Sequence, residues 1–216
     1  MKNSVSFLMV ILLFISINGR AQGLPVDTLN SSDTNKPLIL YLTGDGGMNS
    51  FSKSFVKQWN RRGYPVIALN LKSYLWNAKS PDKAAADVTG LLRKYMRSWK
   101  RQRLVLVGYS LGADVLPFVQ TRLDDDVKYK SSHLVLLSPS ATTDFEVHVF
   151  YSSKGESVPA EINKLTKPTL VIFGNSEKDV PEKNISNKNV TILKVPGDHH
   201  YNDDVTYLVQ QISSRL

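Results

Sequence analysis

Six short runs punctuate the chain: "PLILYLT" (37–43), "YPVIALN" (64–70), "RLVLVGY" (103–109), "HLVLLSP" (133–139), "PTLVIFG" (168–174) and "VTILKVP" (190–196). Each is almost wholly apolar, rich in β-branched residues and bounded by Pro, Gly or polar positions. Continuous apolar runs fit strands buried on both faces of a parallel sheet, whereas half-exposed strands would alternate. Helical patterns lie between them. Phe51, Phe55, Val56 and Trp59 recur at helical spacing, and "SPDKAAADVTGLLRKYMRSW" opens with Ser80 as N-cap and Pro81 as first residue. "LGADVLPFVQTRL" and the closing "DDVTYLVQQISSRL" complete the set. Strands alternating with helices predict an α/β fold: a three-layer sandwich with right-handed crossovers around a mostly parallel sheet of about six strands.

One stretch breaks the rhythm. Between Ala141 and Lys167, "DFEVHVFY" alternates like an exposed or edge strand and a Ser/Gly/Glu-rich stretch follows. An insertion there would overhang the carboxyl ends of the strands, where open α/β sheets bind ligands.

The first 36 residues follow different rules. Residues 1–21 pair a basic Lys2 with an apolar run from Phe7 to Ile17 and small residues at Gly19 and Ala21, the pattern of a secretory signal cut after Ala21. The run falls short of the roughly 20 residues that a membrane span needs. Residues 22–36 are polar and read as a flexible leader, leaving 37–216 as a single domain. Of 216 residues, 42% are hydrophobic, enough for one sizeable core. The absence of cysteine excludes disulfides and thiolate metal sites, and the spacing of the four histidines suggests no metal constellation. No cofactor is expected. A formal charge of +8 is compatible with anionic lipid or nucleic acid, but export argues against nucleic acid as partner.

Chemistry enters at "LVLVGYSLGADVLPF" (104–118), where an apolar strand runs through Gly108-Tyr109-Ser110-Leu111-Gly112 into a helix. That is the G-x-S-x-G nucleophile elbow in its expected context. A serine hydroxyl needs a base, and "VPGDHHYNDD" after the last strand supplies one in the order Ser, acid, His. His199 is preferred and His200 is the reserve. A carboxylate must orient the imidazole. "FGNSEKDVPEK" offers Asp179, preferred for its place before the Val-Pro turn, with Glu177 second; Asp144, beyond the preceding strand, is a third possibility. The oxyanion requires two backbone N–H donors. Leu111 should give one, and Asp45 or Gly46 of the glycine-rich "LTGDGGMNS" the other. That loop lacks the Gly-Lys-Ser/Thr ending of a phosphate-binding loop.

Together "GDGG" (44–47), "YPVIALN…YLW" (64–76), "GYSLGADVLPF" (108–118), "DFEVHV" (144–149) and "HHY" (199–201) resemble the VirJ/AcvB bacterial virulence domain, a branch of the α/β-hydrolases. The chain departs from the family at Met48, Leu111 and Ser73, where Trp, Phe and Arg are usual. The resemblance implies a periplasmic protein. It implies further a serine hydrolase that cleaves aminoacylated, chiefly lysyl, phosphatidylglycerol, with nucleophile Ser110 and its base in the His199–His200 pair. Asp45, Asp144 and Glu146 would then face the lysyl cation. Peripheral contact with an anionic membrane and with secretion-system proteins is also implied. The alternatives are a general carboxylesterase or thioesterase, and a non-catalytic adaptor linked to type IV secretion.

Overall fold

The computed structural model describes residues 23–147 and 155–216. The expected signal segment and His148 lie outside these.

All six expected strands form, as β2 (Leu38–Leu42), β3 (Val66–Leu69), β4 (Leu104–Tyr109), β5 (Ser131–Leu137), β8 (Thr169–Gly174) and β9 (Val190–Val195). A seventh, β1 (Val26–Leu29), pairs antiparallel with β3 at the edge of the sheet. The order is β1-β3-β2-β4-β5-β8-β9, parallel throughout except for β1. The segment expected to be a flexible leader is therefore, over its described part, a fastened edge. Leu24 and Val26 lie against the core, and the buried Arg101 guanidinium donates to the carbonyls of Ser31, Asp33 and Lys36. A polar stretch can be ordered by backbone pairing that its composition does not advertise.

On one face of the sheet, α1 (Ser50–Arg61) packs with the C-terminal α7 (Val205–Ser213) over Ile39, Tyr41, Val105 and Val107. On the other lie α3 (Pro81–Ser98), α4 (Leu111–Arg122) and the short α6 (Val158–Ile162) over Leu40, Leu42, Leu106 and Leu136. Caps fix where the helices begin: Asn49 accepts from Ser52 N, Ser80 from Lys83 N and Asp204 from Tyr207 N. Two further single-turn helices, α2 (Leu71–Tyr74) and α5 (Asp125–Lys128), sit in connections. From Gly112 to Gln120 every residue of α4 is buried, as an apolar helix at the centre of a layer must be.

Residues 148–151 of the expected edge strand lie outside the described residues; the described part of the irregular stretch forms a small flap. β6 (Thr142–Thr143) pairs antiparallel with β7 (Glu156–Ser157), while Asp144 to Val147 bend away from strand geometry. Of the alternating apolar positions, Phe145 is buried edge-on against Phe118 with centroids 5.3 Å apart. The flap lies over the carboxyl ends of the strands. After β2 the chain crosses to β3 on one side, and then returns to β4 on the other. The loops after β2 and β4 thus diverge at a topological switch point, the place where such sheets open a crevice.

Candidate active site

Ser110 sits where β4 turns into α4, at φ 52° and ψ −120°, a left-handed conformation that non-glycine residues rarely adopt. The two glycines around it make that turn possible. A Cβ at Gly108 would lie 2.3 Å from the Gly112 carbonyl oxygen, and one at Gly112 would lie 2.1 Å from that of Leu42. Strand and helix therefore pass at backbone contact and leave the serine side chain projecting. Its carbonyl accepts from Ala113 N and Asp114 N, opening the helix. Its hydroxyl Oγ lies 3.0 Å from His199 Nε2.

His199 comes from the loop between β9 and α7, and its other nitrogen, Nδ1, lies 2.7 Å from Glu177 Oε1. The acid behind the imidazole is thus Glu177, not Asp179, the one preferred from the sequence. The turn after β8 explains the difference. Glu177 N donates to Gly174 O, so the chain doubles back at once and returns the Glu177 side chain to the end of its own strand. Asp179, two residues further, is exposed at φ 57° beyond the turn. Asp144 lies on the flap. His200 is also exposed, with Nδ1 2.8 Å from the Tyr109 hydroxyl, and so braces the strand residue before Ser110.

Glu177 is itself held from behind. Its Oε2 accepts from Ser138 Oγ at 2.8 Å and Gly174 N at 3.2 Å, and Ser138 Oγ in turn lies 2.6 Å from the Tyr201 hydroxyl. Tyr201 donates to Ile172 O. Burial works to raise the Glu177 pKa, but hydrogen bonds from His199, Ser138 and Gly174 outweigh it and hold the carboxyl below its ordinary value. The bond to Glu177 is the largest influence on His199 and, despite burial, raises its pKa above 6.5. Glutamate so placed keeps Nδ1 protonated and Nε2 free to take a proton from Ser110.

A cleft of about 480 Å³ opens over this pair. Leu111 and Asp45, two of the three residues considered for the oxyanion, line it, and the 44–46 loop lies directly against Ser110. The third, Gly46, is exposed beside the Asn49 side chain. Asp144 and Glu146 also line the cleft, from the flap. Its floor holds an acid from the first turn of α4. Asp114 is 6% exposed, lines the cleft, and accepts from Ser140 N at 2.6 Å and from Ser140 Oγ. Burial pushes its pKa up to about 7, against the pull of the Ser140 bonds and the nearby His199. The signal was present: an acid one turn into a helix with no polar face. Among the described lining residues are four carboxylates and no Lys or Arg. Among the described residues no cluster suited to a metal ion occurs.

The model of a family described as bacterial virulence protein (VirJ) matches residues 36–216. No curated protein matches significantly in sequence. Solved structures with the same fold include an esterase from Pyrococcus furiosus, at 15% identity and TM-score 0.63 over 89% of this chain and 90% of that one. MenH from S. aureus is similar at 14% identity and TM-score 0.62, covering 88% and 96%. An esterase domain from a Rhodothermus marinus protein follows at 12% identity and TM-score 0.62, covering 88% and 89%. These likenesses establish the α/β-hydrolase fold.

Proposed function

From its place in the bacterial virulence protein (VirJ) family, to which this chain belongs, and from the geometry around Ser110, we propose that it is a serine hydrolase of carboxylic esters. The observation that carries the proposal is the unbroken line from Ser110 Oγ to His199 Nε2, 3.0 Å, and from His199 Nδ1 to Glu177, 2.7 Å, at the base of an open cleft. A non-catalytic adaptor has no use for that line.

The steps follow from the groups present. His199 Nε2 takes the Ser110 proton as Oγ attacks the ester carbonyl, and Glu177 stabilises the imidazolium. Charge moves to the carbonyl oxygen, where the N–H of Leu111, at the positive end of α4, and a backbone N–H of the Asp45 loop receive it. The C–O bond to the alcohol then breaks, and the departing oxygen takes the proton from His199. Water, deprotonated by the same imidazole, attacks the acyl-serine and releases the acid.

The substrate we propose is aminoacylated phosphatidylglycerol, the lysyl form foremost, met in the periplasm after export. A wall lined by Asp45, Asp114, Asp144 and Glu146 suits an ammonium-bearing acyl group. A general carboxylesterase or thioesterase would use the same machinery without needing the acids. Two measurements separate these readings. Labelling by a fluorophosphonate, lost in Ser110→Ala, is expected of a serine hydrolase, and its absence from the parent protein refutes one. Release of lysine from lysyl-phosphatidylglycerol, faster than from a neutral acyl ester of the same lipid, supports the substrate; equal rates support the general esterase.

A further inference from the structure

From Gly46 to Pro81 the chain contains six lysines and arginines and no Asp or Glu. The last part of this stretch, α2 and the loop to Ser80, is fastened to the flap beside the cleft. Leu71, Tyr74 and Leu75 are buried and anchor it. The Leu75 carbonyl accepts from Val147 N at 3.0 Å, and Lys79 N donates to the Phe145 carbonyl at 3.3 Å. On the other side Lys72 abuts the 44–48 loop, its Cβ 3.1 Å from where a side chain on Gly47 would begin. A second hollow, of about 470 Å³ and lined by Lys79 and Pro81, shares Asp144 and Gly155 with the cleft. The rim is thus continuous with the site of reaction.

What the rim presents outward is Trp76, 66% exposed, with exposed Lys72 four residues before it; Lys79, three residues after, is half-buried with its Nζ 5.0 Å from the centre of the Tyr74 ring. An indole that stands in water on a fixed rim has an apolar body and one N–H, the combination that favours the headgroup layer of a bilayer. Lys72, and Lys79 at the edge of a hollow that Asp144 and Glu156 also line, supply positive charge toward an anionic surface.

We propose that Lys72, Trp76 and Lys79 dock the protein on an anionic phospholipid surface, with the indole in the headgroup layer and the cleft mouth turned toward the lipid. Docking there brings headgroup esters to Ser110 without drawing the acyl chains out of the membrane. The inference rests on the proposed lipid substrate for its purpose, but binding does not require turnover.

The test uses the full mature chain carrying Ser110→Ala, sedimented with vesicles of phosphatidylglycerol and phosphatidylcholine or of phosphatidylcholine alone. Binding to the mixed vesicles, weak or absent on the neutral ones and lost in high salt, is expected. Trp76→Ala should weaken it on the order of tenfold, and Lys72→Gln with Lys79→Gln roughly thirtyfold. Tyr129→Ala serves as control, because Tyr129 is more exposed, at 76%, but precedes β5 at the opposite end of the sheet. No binding, equal binding to neutral vesicles, or binding undiminished by the rim variants overturns the proposal. Hydrolysis of a soluble p-nitrophenyl ester by protein with Ser110 intact keeps the two readings apart. Trp76→Ala should leave that rate unchanged, and a parent protein without it refutes the hydrolase while leaving the vesicle result standing.

Discussion

Replacing Glu177 by glutamine exchanges one carboxylate oxygen for an amide nitrogen, and the surrounding groups decide which position receives it. Oε2 accepts from Gly174 N and Ser138 Oγ, and the first of these is a backbone donor that cannot reverse its role. The amide oxygen therefore stays on that side, and the NH₂ faces His199 Nδ1. Nδ1 must then accept, which places the imidazole proton on Nε2, against Ser110. In that tautomer His199 cannot take the serine proton. A comparable carboxylate-to-amide change behind a catalytic histidine costs about ten-thousandfold. The His199 side chain is 40% exposed, and water can compensate in part, so we expect less, near a thousandfold in kcat/KM or about 4 kcal/mol.

The pH profile gives a second, independent readout. Catalysis needs neutral His199, whose pKa lies above 6.5 chiefly because of Glu177. In the parent protein kcat/KM for p-nitrophenyl acetate should rise with pH through that raised pKa. Without the carboxylate, burial remains and acts in the opposite direction, so the residual activity of Glu177→Gln should rise at lower pH than the parent's. Asp179→Asn, changing an exposed side chain beyond the turn, should stay within about twofold, since it alters only a screened surface charge. If instead Asp179→Asn loses a thousandfold while Glu177→Gln stays within tenfold of the parent, or the rising limb of Glu177→Gln moves to higher pH, the argument fails.

Asp114, with a pKa raised to about 7 by burial, keeps its proton in the folded protein after the unfolded chain has lost it. Stability should therefore fall by ~4 kcal/mol as pH climbs from the ordinary carboxylate range to neutrality and then level off. Urea titrations should show Asp114→Asn lacking that fall and more stable than the parent above neutrality; a parallel pH dependence would contradict the burial account. Gly112→Ala sets a methyl 2.1 Å from the Leu42 carbonyl, with no flexible side chain to yield. We expect more than the ~3 kcal/mol typical of overpacking, seen as insoluble protein or a collapsed Tm, and a Tm within a few degrees of the parent would refute it. Arg101→Met leaves the carbonyls of Ser31, Asp33 and Lys36 without their shared donor. Hydrogen exchange should then accelerate in Val26–Leu29 before the rest of the sheet, with a loss of a few kcal/mol overall.

What was legible in the sequence is what the backbone alone decides. Apolar runs of strand length, Ser80 with Pro81, and glycine two residues either side of Ser110 each impose a local geometry that no distant contact can reverse. The strands, the helix starts and the elbow all appear where these features lie. The rest depends on partners remote in the chain. Glu177 and Asp179 are both loop acids after β8, and only the tight return of Glu177 N to Gly174 O separates them. β1, Val-Asp-Thr-Leu, lacks a continuous apolar run because a strand paired on one edge can leave three of its four side chains in solvent. Asp114 marks the boundary between the two kinds of inference. Placed on a helix buried from Gly112 to Gln120, it has no solvent face to occupy, and an ionisable group there must be aimed at a cavity or a partner. The structure supplies both, the Ser140 donors and the cleft beside His199. An acid at such a position is therefore a stronger pointer to a site than an exposed acid, whose side chain water alone would satisfy.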